Sequence, residues 1–174
     1  MADLESSLSA ERHRDLKDRN VEPWVRRAGL TLFGVIVVVA LAGQLGQRAT
    51  SSSTAAPAAT LQVSSPTKLR GGLLYQARFT ITARRRLAHT RLVLSPGWFD
   101  GQTLNTTEPQ ASEETNENGS VAFAYGALPA GERLHVWLEY QVNPTTTGSR
   151  KQTATLQDGD TQIATLTRKT RIFP

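Results

Sequence analysis

The chain has 174 residues, a formal net charge of +5 and no cysteine. Without cysteine, a disulfide-stapled scaffold, a thiolate metal site and a cysteine nucleophile are all excluded. The cationic excess is uneven: residues 1–27 hold six Lys/Arg and six Asp/Glu, and the remainder holds fourteen and nine.

Residues 1–27 read as a charged cytoplasmic tail with too thin an apolar stripe, Leu4, Leu8 and Leu16, to bury a helix face. Residues 28–47 then read as a transmembrane helix. From Ala28 to Leu45 there is no charge, and ten residues are Leu, Ile, Val or Phe. On the insertion scale these contribute about −3 to −6 kcal/mol before polar costs. Arg26 and Arg27 abut the run on its N-terminal side, with four more basic residues upstream. Beyond it only Arg48 is near. Lys and Arg concentrate on the cytoplasmic side of a span, so the N-terminus is expected inside and the C-terminal part extracytoplasmic. Trp24, Arg26 and Arg27 fall where an interfacial belt is expected. Ala40-Leu41-Ala42 also fits a small-x-small cleavage site, but an n-region of 27 residues with six acids favours an uncleaved anchor at the cell membrane. Residues 48–59 are rich in Ala, Ser and Thr and read as a low-complexity linker.

From residue 60 to 174 the apolar pattern takes period two, which describes strands with one buried and one wetter face. Leu73, Tyr75, Ala77, Phe79 and Ile81 share one face; Val121, Phe123 and Tyr125 alternate likewise. Leu134, Val136, Leu138, Tyr140 and Val142 interleave with His135, Trp137, Glu139 and Gln141. Shorter strands are expected at Thr60–Ser64 and Arg91–Leu94. Asp158-Gly159 is the preferred dipeptide for a tight hairpin between Thr153–Gln157 and Thr161–Thr167. The expected fold is mainly β: an N-terminal transmembrane helix followed by an antiparallel β-sandwich of six to eight strands.

Gly126-Ala127-Leu128-Pro129-Ala130-Gly131 leads into Val136–Val142, and the chain closes on Gln157-Asp158-Gly159-Asp160 and Arg171–Pro174. In these motifs and its anchor the chain resembles actinobacterial single-pass membrane proteins that carry one bacterial immunoglobulin-like domain. The resemblance implies an immunoglobulin-like sandwich and brings no catalytic residue.

No motif carries chemistry. Two histidines beyond the membrane, His89 and His135, are too few for a metal centre. Asp158-Gly159-Asp160 lacks the remaining acids of a calcium loop. Glu113, Glu114 and Glu117 lie in a polar stretch that reads as a solvated loop, with no apolar pocket to raise a carboxyl pKa. The chain is therefore read as a non-enzyme without cofactors, and its export argues against nucleic acid.

Two features remain. Arg84, Arg85 and Arg86, with Arg91 nearby, form a dense cationic segment, and arginine forks suit phosphate and carboxylate. Trp98 and Trp137 are candidate aromatic contacts, Trp137 because it falls on the polar face of its strand. The expected function is a membrane-anchored interaction domain, accessory to another envelope protein. The alternative is a binding module for anionic cell-wall polymer or lipid headgroups.

Overall fold

The computed structural model describes residues 22–41 and 48–174, which fall into two separate units. The first is helix α1, Glu22–Leu41. Its stretch Pro23–Leu41 is long and apolar enough to cross a membrane, a property that signal sequences share. The tail before Val21 and the Ala42/Gly46 end of the expected span lie outside the described residues.

The second unit is a β-sandwich of eleven strands. They are β1 (Ala49–Ala55), β2 (Ala59–Pro66), β3 (Lys68–Arg70), β4 (Leu74–Ala83), β5 (Leu87–Leu94), β6 (Gln102–Glu108), β7 (Glu113–Glu117), β8 (Ser120–Leu128), β9 (Arg133–Val142), β10 (Gly148–Asp158) and β11 (Thr161–Phe173). Sheet A has the order β1-β2-β4-β9-β6 and sheet B the order β3-β11-β10-β5-β8-β7. Every pairing is antiparallel except β3 with β11, which is parallel. The fold is mainly β, a two-sheet sandwich with almost entirely antiparallel pairing, as the alternation predicts.

The core lies between the sheets. Sheet A contributes Leu61, Val63, Ala77, Phe79, Ile81, Val136, Leu138 and Tyr140, and sheet B contributes Leu92, Leu94, Phe123, Leu156 and Ile172. No described residue before Ala56 belongs to this core, so the sandwich carries its own apolar interior.

Three expectations need correction. Residues 49–55, read as linker, form edge strand β1 along the whole of β2, from Ala49 opposite Pro66 to Ala55 opposite Thr60. Ser and Thr satisfy an edge ladder through the backbone alone, without an apolar face to announce it. The polar stretch around Glu113–Glu117, read as a loop, contains β7, exposed along its entire length. Charges there blunt the outer edge of sheet B against further pairing. Leu73, assigned to the buried face of β4, precedes the strand and is 41% exposed.

The chain enters the sandwich at Ala49. That proximal end also holds the end of β2, the start of β4 and the end of β11. The opposite, distal end holds the β4–β5 connection and the Asp158-Gly159 turn.

Candidate functional site

The three arginines sit in the arch that carries the chain from sheet A to sheet B at the distal end. Arg84, Arg85 and Arg86 are all exposed. Extended alternation would have divided them between two faces, but the chain turns here. The Arg84 and Arg85 N–H groups both donate to the Ala58 carbonyl, at 2.8 and 3.1 Å, which pins the arch against the β1–β2 hairpin.

Arg91 lies elsewhere, on the outer face of sheet B. There β5 meets β8 through an irregular register around Thr90, opposite Gly126 at φ 75°. Bulges of this kind re-aim side chains. Arg91 lines two adjoining grooves of about 420 and 330 Å³. The first is also lined by His89, Ser112 and Glu113, the second by Thr115, Asn118 and Asp160. No Phe, Tyr or Trp ring lines either groove, so neither offers the broad stacking platform a sugar ring uses. The Arg91 guanidinium approaches the fully exposed Asp160 carboxylate at 3.5 Å, a pairing worth little in water. The Asp158-Gly159 turn is structural. Asp158 Oδ1 accepts the N–H groups of Ala88 and His89, both at 2.8 Å, and the Gly159 N–H donates to the His89 carbonyl.

The two sandwich tryptophans have opposite fates. Trp98 is a correction: it is fully buried and offers no contact surface. The short 3₁₀ turn Pro96–Trp98 tucks its ring under the proximal end of the core. The ring packs 5.2 Å from Phe79 and 6.1 Å from Tyr140, and Nε1–H donates to the Thr153 carbonyl at 3.1 Å. Gly97 permits this close approach, because a Cβ there would stand 2.0 Å from the Lys151 carbonyl oxygen. Trp137 instead faces outward and is partly buried. The register sets it between Arg78 of β4 and Glu108 of the edge strand β6. The His135 ring lies 5.7 Å away, and its Nδ1 is 3.1 Å from Thr80 Oγ1. Polar residues of β2 and β4 complete the face: Gln62, Ser64, Gln76 and Thr80.

In α1, Trp24 is 69% exposed and the Arg27 guanidinium stands 5.7 Å from its ring, a cation–π arrangement. Arg26 is exposed beside it.

A buried polar cluster near the proximal end was not foreseen. Arg168 of β11 is 7% exposed, and its Nη2 donates to the Ser65 carbonyl of β2 at 2.7 Å, tying sheet B to sheet A. Its Nε and Nη1 find no protein acceptor. Burial lowers its pKa, and the neighbouring Tyr75 partly offsets this. Close by, the Tyr75 hydroxyl donates to Gln102 Oε1 and the Thr170 hydroxyl to Gln152 Oε1, the latter at 2.6 Å. A buried guanidinium facing no carboxylate carries desolvation without Coulombic return. Arg168→Met should therefore hold or raise stability, by up to about 2 kcal/mol. Urea unfolding of the two proteins measures this, and a clear loss would give the guanidinium a stabilising role.

Among the described residues no group of three His, Asp or Glu side chains is placed to hold a metal ion. Neither a known family nor a curated protein matches the sequence. Solved structures do. AvmM, which catalyses macrocyclization in alchivemycin A biosynthesis, is 9% identical over 74% of this chain and 90% of its own, with a TM-score of 0.44. A CARDB domain from Pyrococcus furiosus, solved with two metal ions, is 11% identical over 73% and 96%, with a TM-score of 0.41. A non-cellulosomal cohesin from Archaeoglobus fulgidus is 16% identical over 73% and 92%, at 0.41. Likenesses this distant assign no activity or ligand.

Proposed function

We propose that the chain is a membrane-anchored interaction domain: α1 is retained as a single span with its N-terminus cytoplasmic, and the extracytoplasmic sandwich docks onto another envelope protein. The carrying observation is Trp137. It stands partly buried in the outer face of sheet A, with Arg78 and Glu108 at its sides and Gln and Ser residues around them. Tryptophan and arginine dominate the energetics of protein interfaces, and near-neutral polar neighbours serve to exclude water. With Trp98 consumed by the core, Trp137 is the one tryptophan of the sandwich available to a partner.

The test is co-purification of the tagged full-length protein from membranes in mild detergent, read by mass spectrometry. A membrane protein should be retained, and Trp137→Ala should weaken its retention by about 30-fold or more, the scale of an interface hot spot. Thermal unfolding of the variant should show a loss of less than about 1 kcal/mol, so that it stays folded in the assay. Equal retention by the variant would remove Trp137 from the interface, and no retained protein would remove the accessory role.

A second reading rests on the arch. Three exposed arginines on a pinned turn could hold an anionic wall polymer. Here the triple substitution Arg84→Ala, Arg85→Ala, Arg86→Ala abolishes polymer binding, and Trp137→Ala leaves it unchanged.

A further inference from the structure

Strands β3, β10 and β11 together carry seven Lys/Arg and a single acid, Asp158, at the distal end. The register gathers five of the seven at the proximal end of sheet B, all outward and exposed. Lys151 stands directly opposite Lys169, and Arg171 opposite Lys68. Arg70 pairs with Phe173, over whose ring the Arg171 guanidinium lies at 5.0 Å. None of the five is in an ion pair among the described residues; the nearby Arg150 is the one matched to an acid, Asp100, at 2.6 Å. Like charges directly opposite on neighbouring strands destabilise a sheet. With strands about 5 Å apart and successive outward residues about 7 Å apart, the cations form one compact patch.

A second feature falls at the same end. Among the described residues, every exposed large apolar side chain lies in α1 except two, Leu73 and Leu74, at 41% and 55%. They sit where the chain passes from β3 to β4, held by Gly71 N–H to the Phe173 carbonyl and Gly72 N–H to the Val142 carbonyl. A cationic field beside projecting leucines is the composition of surfaces that settle into an anionic lipid interface.

We infer that the proximal end of the sandwich, through Lys68, Lys151, Lys169 and Arg171 with Leu73 and Leu74, binds the headgroups of anionic phospholipids. This rests on α1 being a retained span. The chain itself favours lipid over a remote polymer: in the sequence only residues 42–47 lie between α1 and the described start of the sandwich. The surface differs from the distal arch.

Residues 48–174, which carry their own core, are suited to vesicle co-sedimentation. They should partition to vesicles containing phosphatidylglycerol and not to phosphatidylcholine alone, and about 1 M salt should release them. Lys151→Glu with Lys169→Glu should reduce partitioning more than about tenfold. Leu73→Ser with Leu74→Ser should reduce it several-fold, and the triple alanine variant of Arg84–Arg86 should bind as the parent does. All substituted side chains are exposed, so unchanged thermal unfolding separates lost binding from lost fold. No preference for the anionic vesicles, insensitivity to the Lys151/Lys169 reversals, or loss with the arch variant alone would each overturn the inference. Carbonate extraction of the full-length protein tests the anchor independently. Release from membranes there would overturn the anchor and, with it, lipid as the natural occupant, whatever the vesicles show.

Discussion

Replacing Trp98 by alanine is expected to cost the sandwich about 3–5 kcal/mol, the range for deleting a large aromatic side chain from a packed core. The ring is fully buried, bridges Phe79 and Tyr140, and donates its indole N–H to the Thr153 carbonyl. Alanine opens a cavity and also leaves that carbonyl without its indole donor; a typical hydrogen bond adds about 1 kcal/mol. Collapse of the site is hindered because the Pro96–Trp98 turn is itself tied down. The Ser95 N–H donates to the Thr153 carbonyl at 3.0 Å, and Ser95 Oγ accepts the Thr153 N–H at 2.9 Å. Urea unfolding of residues 48–174 reads the loss. Trp137→Ala in the same experiment should cost less than about 1 kcal/mol, because its ring is only partly buried on an outer face. A small loss at Trp98, or equal losses at both positions, would contradict this division of labour.

The contrast between the two tryptophans shows where the sequence is legible. Trp137 lies in an unbroken alternation, and period two alone turns it away from Val136 and Leu138. Trp98 follows Ser95-Pro96-Gly97, a sequence that announces a turn without saying which way the next side chain points. Only the packing of that turn against β10 decides it. The strands that alternate, β4, β9, β10 and β11, were readable for the same reason as Trp137. Strands β1 and β7 were not, because an edge strand with two wet faces has no alternation to read. Arg168 did carry a signal: it shares the inward period of Leu166, Thr170 and Ile172. A basic residue at an inward position is easily passed over as surface. The proximal cations carried none. Lys68, Lys151 and Lys169 are far apart in the chain, and only the pairing of β3, β11 and β10 makes them neighbours. Arg84–Arg86 was visible because it is contiguous, which is a property of the chain and not of the surface.

Strong alkali should unfold this domain through its tyrosines. The chain has three, Tyr75, Tyr125 and Tyr140, and burial is the leading cause that raises the pKa of each above the ordinary 10.0. Tyr140 is fully enclosed and stacked on Tyr75 at 5.4 Å, so a phenolate there would lose its hydration without gaining a partner. In the unfolded chain the same phenols ionise near pH 10. Above that pH the unfolded state holds fewer protons than the folded one, so stability is level below pH 10 and falls as pH rises. Tyr75 and Tyr140, both at least nine-tenths buried, each contribute about 1.4 kcal/mol per pH unit, together about 2.7. Tyr125 is more exposed and adds less. Tyr140→Phe isolates one share. Its hydroxyl has no hydrogen-bond partner, so the variant should unfold like the parent at neutral pH and lose about half of the two-tyrosine slope above pH 10. Phenolate absorbance followed beside circular dichroism checks the account: ionisation of the buried tyrosines and loss of the fold should coincide. Ionisation of all three near pH 10 in a protein that stays folded would mean that their rings are open to water.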